Sequence, residues 1–325
     1  VGSEMCIRDS NMHLFEDVDF PEPETLFDDY TTRGPQMKTQ ELTIDRHMGY
    51  AFDFKVRELK NEPTLQYIRD SWLMAMAEMD SEQRATWEAI YDKKNEEFLK
   101  NPPVGKDLLR WKYQRYVKEY CRTIRSVDEQ VGRLLDYLEE KGVLDNTVIV
   151  YTSDQGFLLG EHGLYDKRFM YEESFRTPLI ISCPSLVKKH SVCKELVQNI
   201  DLAPTFLSLA GVEVPKEMSG RSLLPLFKNG KAENWRNELY YHFYDYPAVG
   251  SVRKHDGIRT KRYKLIHWYG EGSGNDEAID FWELYDLKKD VMEVNNVYDN
   301  PKYVKVREVL TVQLEKLRKD VGVTE

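Results

Sequence analysis

The sequence predicts an α/β domain followed by a smaller antiparallel sheet closed by a C-terminal helix. Three observations carry this. A long helical repeat of apolar residues leads into a run at 147–152 that is β-branched and apolar on both faces, and a second such run stands at 178–182. Beyond about Trp235 the text changes to aromatic-rich segments separated by polar turns. Near the end, helical spacing returns.

Residues 1–10 look foreign to the rest of the chain, resembling a translated sequencing adapter, and are set apart from the fold. From Asn11 to Thr43 the text is acidic, carries Pro21, Pro23 and Pro35, and has no strong period. A helical pattern runs from Thr64 to Leu99 through Leu65, Ile68, Trp72, Ala75 and Met79, and Asn101-Pro102-Pro103 ends it. The clearest helix places Tyr113, Val117, Tyr120, Ile124, Val127, Val131, Leu134 and Leu138 on one face and stops at Gly142. After a turn at Asp145-Asn146, the run 147–152 reads as a central strand covered on both sides, as in a parallel sheet, and 178–182 as its fellow. A short helix follows from Asp201, an N-cap candidate, to Gly211, with Ala203, Phe206 and Leu207 inward. Segments 239–246, 257–268 and 281–287 read as strands, with 270–274 a flexible connection. The last stretch, 301–319, returns to helical spacing through Val304, Val309, Val312, Leu314 and Leu317. Three parts result: 1–10, an α/β part over 11–234, and a sheet-plus-helix part over 235–325.

Apolar residues make up 41% and charged residues 31%, a balance that excludes a long disordered tail or a low-complexity chain. No apolar run approaches the roughly 20 residues that span a bilayer. Lys plus Arg is 46 and Asp plus Glu is 56, so the net charge is −10. A chain this acidic is a poor partner for nucleic acid or an anionic membrane, and any anion it binds needs a local cluster or a metal. The cysteines at 6, 121, 183 and 193 form no C-x-x-C pair, and four are too few for a disulfide scaffold.

Chemistry concentrates just after the 147–152 strand. Ligands of parallel α/β sheets bind beyond the carboxyl ends of strands, where Ser153-Asp154-Gln155-Gly156 stands. Asp154 offers a carboxylate and Gln155 an amide oxygen, hard donors suited to Ca²⁺ or Mg²⁺, and Gly156 lets the chain turn close to an ion. These four residues read equally well as a turn capped by Asp154. Glu161-His162-Gly163 and Asp166-Lys167-Arg168 follow within fourteen positions of Asp154. A lysine returning to the strand end would stabilise charge on an anion held there; on its own, the pair Lys167-Arg168 reads as solvated surface.

The stretch 151–178, YTSDQGFLLGEHGLYDKRFMYEESFRTP, resembles the C-terminal signature region of the formylglycine-dependent sulfatases of the alkaline phosphatase superfamily. The strings at 127–135, 201–205, 219–223, 259–265 and 282–287 are similar to sulfatase text as well. The resemblance runs from about residue 12 to the end, and within the family it is strongest to bacterial enzymes related to N-acetylglucosamine-6-sulfatases. It implies an alkaline-phosphatase-like fold with an incomplete central sheet. It also implies a divalent cation, usually Ca²⁺, at Asp154 and Gln155, although many members carry Asn or His at the second position. Lys167 matches the lysine that contacts the sulfate group and ester oxygen. His162 lies in the matched motif with no assigned chemical step. In the family the C-terminal sheet leans over the cleft, which makes His242, Tyr244, Asp245 and His255 candidates for sugar hydroxyl contacts. Arg259 sits in a string common to many sulfatases and is expected to support a strand start.

The resemblance further implies a formylglycine nucleophile, made from Cys or Ser in a C-x-P-S-R-like motif. The closest local string, Ser182-Cys183-Pro184-Ser185-Leu186, lacks the spacing and the Arg, so Cys183 reads as a small core residue, as does Cys121. The expectation is therefore the C-terminal portion of a sulfatase, truncated upstream of residue 11. Its parent would remove sulfate from a sugar such as N-acetylglucosamine 6-sulfate in glycosaminoglycan or mucin, and would work in the periplasm or outside the cell. The alternatives are a phosphoester or phosphonate hydrolase of the same superfamily, or a non-catalytic sugar-binding paralogue.

Overall fold

The structure, a computed structural model, describes residues 9–56, 66–274 and 276–323; most of the foreign-looking leader and the predicted helix start at 64–65 lie outside these. In chain order the first half holds helices α1 (Gln36–Thr39), α2 (Gln66–Glu78), α3 (Ser81–Lys100) and α4 (Gly105–Glu140). Strands β1 (Ile149–Thr152), β2 (Leu158–Leu159) and β3 (Tyr165–Asp166) follow, then α5 (Glu172–Phe175), β4 (Leu179–Ser182), α6 (Leu202–Leu209) and α7 (Leu224–Phe227). The C-terminal part holds β5 (Glu238–Phe243), β6 (His255–Thr260), β7 (Tyr263–Gly270), β8 (Ile279–Asp286) and α8 (Val304–Asp320). Two compact units form: one within Val1–Asp28, Glu41–Lys141 and Phe157–Asp166, the other from Asp29–Gln40, Gly142–Gly156 and Lys167–Glu325. The expected boundary at residue 234 falls inside the second.

In the first unit, the helix expected across 64–99 is two helices. Asp80 breaks it: its carboxylate accepts from the backbone N–H groups of Glu82 and Gln83, and the Gln83 side chain returns to the Asp80 backbone. This capping box satisfies orphan donors and makes a new start cheaper than a continuous helix. On α4 the N-terminal half is seated by Tyr113 and Val117 against Leu26, while Ile124, Leu134 and Tyr137 are 41%, 56% and 56% exposed. The buried face read from the sequence therefore covers only half of the helix.

In the second unit, β1 and β4 pair antiparallel, with Ile149 opposite Ser182 and Thr152 opposite Leu179. The parallel arrangement expected for this pair is not formed. A parallel return needs a crossover of a dozen or more residues, usually helical, and the only α-helix between these strands is the four-residue α5. Nor are both faces covered, for Tyr151 and Ile180 stand 37% and 62% exposed. Asp201 stands at the N-cap position of α6, as read from the sequence, but its side chain makes no cap bond to that helix. Fully buried, it accepts from the backbone N–H of Gln198 and of Arg221, both at 2.8 Å, and pairs with both ends of the Arg236 guanidinium. On α6, Pro204 and Thr205 are buried, whereas Ala203 and Phe206 face solvent.

Strands β5 to β8 form one antiparallel sheet in sequential order. Alternation divides it into two faces. Tyr240, Ile258, Leu265 and Leu284 face α8, which packs Val306, Leu310, Leu314 and Leu317 onto them. Of the positions that set the helical spacing, Leu314 and Leu317 pack on the sheet, whereas Val309 and Val312 are 57% and 71% exposed and Val306 and Leu310 face the sheet instead. The other face carries Tyr241, His255, Gly257, Lys264, Ile266, Trp268, Glu283 and Tyr285. Onto this face the chain at Phe169–Tyr171 docks, with Phe169 6.0 Å from Trp268 and Tyr171 6.1 Å from Tyr285, ring centre to ring centre.

Candidate active site

Asp154 lies just beyond the end of β1, so the strand delivers it to the sheet's edge. Asn199 donates its amide to the Asp154 carbonyl at 2.7 Å, and the Ser153 hydroxyl donates to the carboxylate at 3.3 Å. Gly156 then runs against α5, its N–H donating to the Ser174 carbonyl at 2.9 Å. A Cβ there would lie 2.1 Å from the Glu173 carbonyl oxygen, so only glycine fits.

Lys167 is held from the other side of the loop. Arg168 turns the chain with φ of 87°, after which Phe169, Met170 and Tyr171 are essentially fully buried. Met170 fits because Gly257 has no side chain: a Cβ there would lie 2.6 Å from the Met170 sulfur. Glu172 completes the seat. Its carboxylate accepts from Arg259 at 3.1 Å and from Lys264 at 2.9 Å, while its N–H donates to Glu293 at 2.7 Å. Burial pushes the Glu172 carboxyl up, but the Lys264 and Arg259 charges outweigh it and hold the group at about 2. A fully buried Lys264 between Glu172 and Glu293 thus ties the Lys167 segment to β7.

A cavity of about 1370 Å³ opens in this unit, and Asp154, Gln155 and Lys167 all line it. Its walls also hold Glu172, Arg176, Asn199 and Tyr241, none of them singled out in the sequence, and Arg168, which on its own read as solvated surface beside Lys167. Arg259, read as strand support, lines it too while pairing with Glu172. For Arg168, Glu172 and Arg176 the signal lay in the quoted string and for Tyr241 in the strand's alternation, but which face turns inward is set only by packing; Asn199 had no signal.

The sugar-contact candidates are not brought there. On β5, Leu239, Tyr240, Tyr241 and Phe243 line the cavity and His242 does not; it lies on the face opposite Tyr241, where its Nε2 meets the Tyr269 hydroxyl at 2.5 Å. Tyr244 and Asp245, beyond the end of β5, are exposed and line no part of it. His255 is fully buried, its ring 4.1 Å from Trp268. Its Nδ1–H donates to the Arg253 carbonyl at 2.9 Å, and burial holds its pKa down to about 4, so the ring is neutral at pH 7. It is a core residue of the sheet. His162 belongs to the first unit, fully buried, with Nδ1 2.9 Å from Asp28. Cys183 is buried, as expected of a core residue.

Asp154 and Gln155 present two oxygen donors to the cavity. Among the described residues no group of three or more His, Cys, Asp or Glu is placed to hold a metal ion. Ca²⁺ takes six to eight oxygens, so these residues form at most one wall of a cation site and do not make one by themselves.

The loop at the end of β1 and Lys167 share one cavity, on an α/β body followed by a small antiparallel sheet. The chain belongs to the sulfatase family: the Sulfatase family model matches residues 14–212, and the model for the C-terminal part of N-sulphoglucosamine sulphohydrolase matches 160–320. Among particular relatives, an N-acetylglucosamine-6-O-sulfatase of Bacteroides thetaiotaomicron is 45% identical over 311 residues, which is 95% of this chain and 54% of that protein. The solved structure of BT4656, in complex with its substrate D-glucosamine-2-N,6-O-disulfate, superposes with a TM-score of 0.87 at 43% identity, over 97% of this chain and 63% of that one. A phosphonate monoester hydrolase from Silicibacter pomeroyi is similar at a TM-score of 0.57 and 26% identity, over 69% of this chain and 44% of its own. The fold is that of the alkaline-phosphatase-like sulfatases. The chain spans about half the length of the curated relative it matches.

Proposed function

We propose that this chain supplies one side of the catalytic cleft of a sulfuric ester hydrolase acting on 6-O-sulfated glucosamine units. The observation that carries the reading is the meeting of Asp154, Gln155 and Lys167 in one cavity at the carboxyl end of β1. The Bacteroides relative and the substrate bound by BT4656 support the sugar and the 6-position. Lys167 is the chemical actor within these residues. Its ammonium stabilises negative charge that grows on the ester and sulfate oxygens as the S–O bond breaks. Asp154 and Gln155 would lend two donors to a Ca²⁺ whose other ligands, like the formylglycine nucleophile, come from outside these residues. Export to the periplasm or cell exterior is part of the same proposal. No helix among the described residues is long and apolar enough to cross a membrane.

The likeness to a phosphonate monoester hydrolase favours one other reading, hydrolysis of phosphorus esters on the same scaffold. One experiment separates the two. The portion of the Bacteroides relative that this chain does not span is joined to the chain, and the chimera is produced with a formylglycine-generating enzyme. Sulfate release from N-acetylglucosamine 6-sulfate is the expected result, with none from the 325-residue chain alone. A folded chimera that prefers a phosphonate monoester supports the second reading, and one that turns over neither defeats both.

A further inference from the structure

We propose that the second unit carries a docking site for sulfated polysaccharide on two touching loops, apart from Lys167. Lys188, Lys189 and Lys194 stand on one loop and Lys228 and Lys231 on the other; all five are exposed. The loops meet where the Cys193 thiol donates to the Gly230 carbonyl at 3.3 Å, and the first is folded back by the Ser191 hydroxyl donating to the Lys188 carbonyl at 2.6 Å. Residues 186–194 and 223–232 contain no Asp or Glu, and none of the five lysines has a side-chain partner among the described residues.

Five unpaired cations gathered on a chain of net charge −10 make a local positive field against an acidic background. That pattern suits a flexible polymer with its own spaced anions better than a large uniform surface such as a membrane, which the remaining acidic groups would repel. The placement sets the ligand's length. Strand β4 leads away from Thr152, beside Asp154, and ends at Ser182, with the Lys188 loop following. Its four residues cover roughly 13 Å at about 3.3 Å each, more than one sugar ring spans. Lys194 and Gly230 still line the cavity that holds Lys167. A chain of sulfated sugars is the ligand that reaches from one to the other. The class of polymer rests on the function proposed above; the site does not need turnover to be tested.

The test is binding of a heparin oligosaccharide, a sulfated glucosamine polymer, to the 325-residue chain at low salt. The variant Lys188→Glu/Lys189→Glu/Lys228→Glu is expected to weaken binding at least about tenfold and to flatten its salt dependence by about one unit of log–log slope per lysine. The Gln triple variant should do so more mildly, guarding against a fold effect. Lys319→Glu, at an exposed position on α8 outside both loops, is expected to change affinity by less than about twofold. Absence of heparin binding, or binding untouched by both triple variants, overturns the site. Equal affinity for single-stranded DNA or phosphatidylserine vesicles overturns the ligand class. If the chimera fails to release sulfate while heparin binding behaves as stated, the catalytic reading falls and the site stands.

Discussion

Replacing Lys167 by Ala in the active chimera is expected to lower kcat by about 10²-fold or more, the scale seen when one preorganised charge-stabilising group is removed. Lys167 is half-buried in the cavity wall, and no carboxylate pairs with it among the described residues, so its charge is directed at whatever anion enters. A contact made mainly in the transition state reduces kcat and kcat/KM together, whereas loss of uniform substrate binding raises KM alone. Lys167→Arg keeps the charge but spreads it over a planar group of other reach, so partial activity is expected. Near-normal turnover in Lys167→Ala would remove the residue from the proposed chemistry.

The second large effect concerns stability. Lys264 has no exposed surface; its ammonium donates to the Met170 carbonyl at 2.6 Å and lies 2.9 Å from Glu172 and 2.8 Å from Glu293. Lys264→Met leaves Glu293, itself fully buried, without its cation. Breaking a buried pair in this way costs about 3–5 kcal/mol, because the surviving charge stays desolvated. Burial already raises the Glu293 carboxyl above its ordinary range, and Lys264 opposes that. The double variant Lys264→Met/Glu293→Gln removes the orphaned charge and should recover part of the loss. Denaturant midpoints of the three proteins check this; a double variant no more stable than the single one would place the cost in packing rather than charge.

The site was legible where short-range chemistry sets it. The apolar run before Ser153, the hard donors at Asp154 and Gln155 and the lysine thirteen positions after Asp154 are local in sequence, and the cavity lining brings all three together. Long α4 and an antiparallel sheet beyond Trp235 were legible for the same reason, since period and composition act locally, although the stretch 257–268, read as one strand, is two, β6 and β7, folded back on each other at 261–262. What failed depends on partners distant in sequence. The alternation of β5 could have been counted, yet which of Tyr241 and His242 faces the cavity depends on Phe169–Tyr171 docking on one face and α8 on the other. The β1–β4 pair is antiparallel because no crossover helix intervenes within its unit, a property of the connection rather than of either apolar run. On α8 the choice between Val309 and Leu310 is a rotation of one residue, settled by Ile258, Leu265 and Leu284 across the interface. The clamp of Glu172, Arg259, Lys264 and Glu293 joins residues up to 121 apart in the chain, and no motif announces it.

The most direct measurement is a crystal structure of the Lys167→Ala chimera and of its Lys167 parent, both produced without the formylglycine-generating enzyme so that the substrate is not consumed, each soaked with N-acetylglucosamine 6-sulfate. The expected result is that in the parent the sulfate group lies within hydrogen-bond distance of Lys167 Nζ, on the same side of β1 as the Asp154 carboxylate, and that the variant binds the sugar with its sulfate shifted and without that contact. A sulfate bound away from Lys167, or bound identically in both proteins, would contradict it.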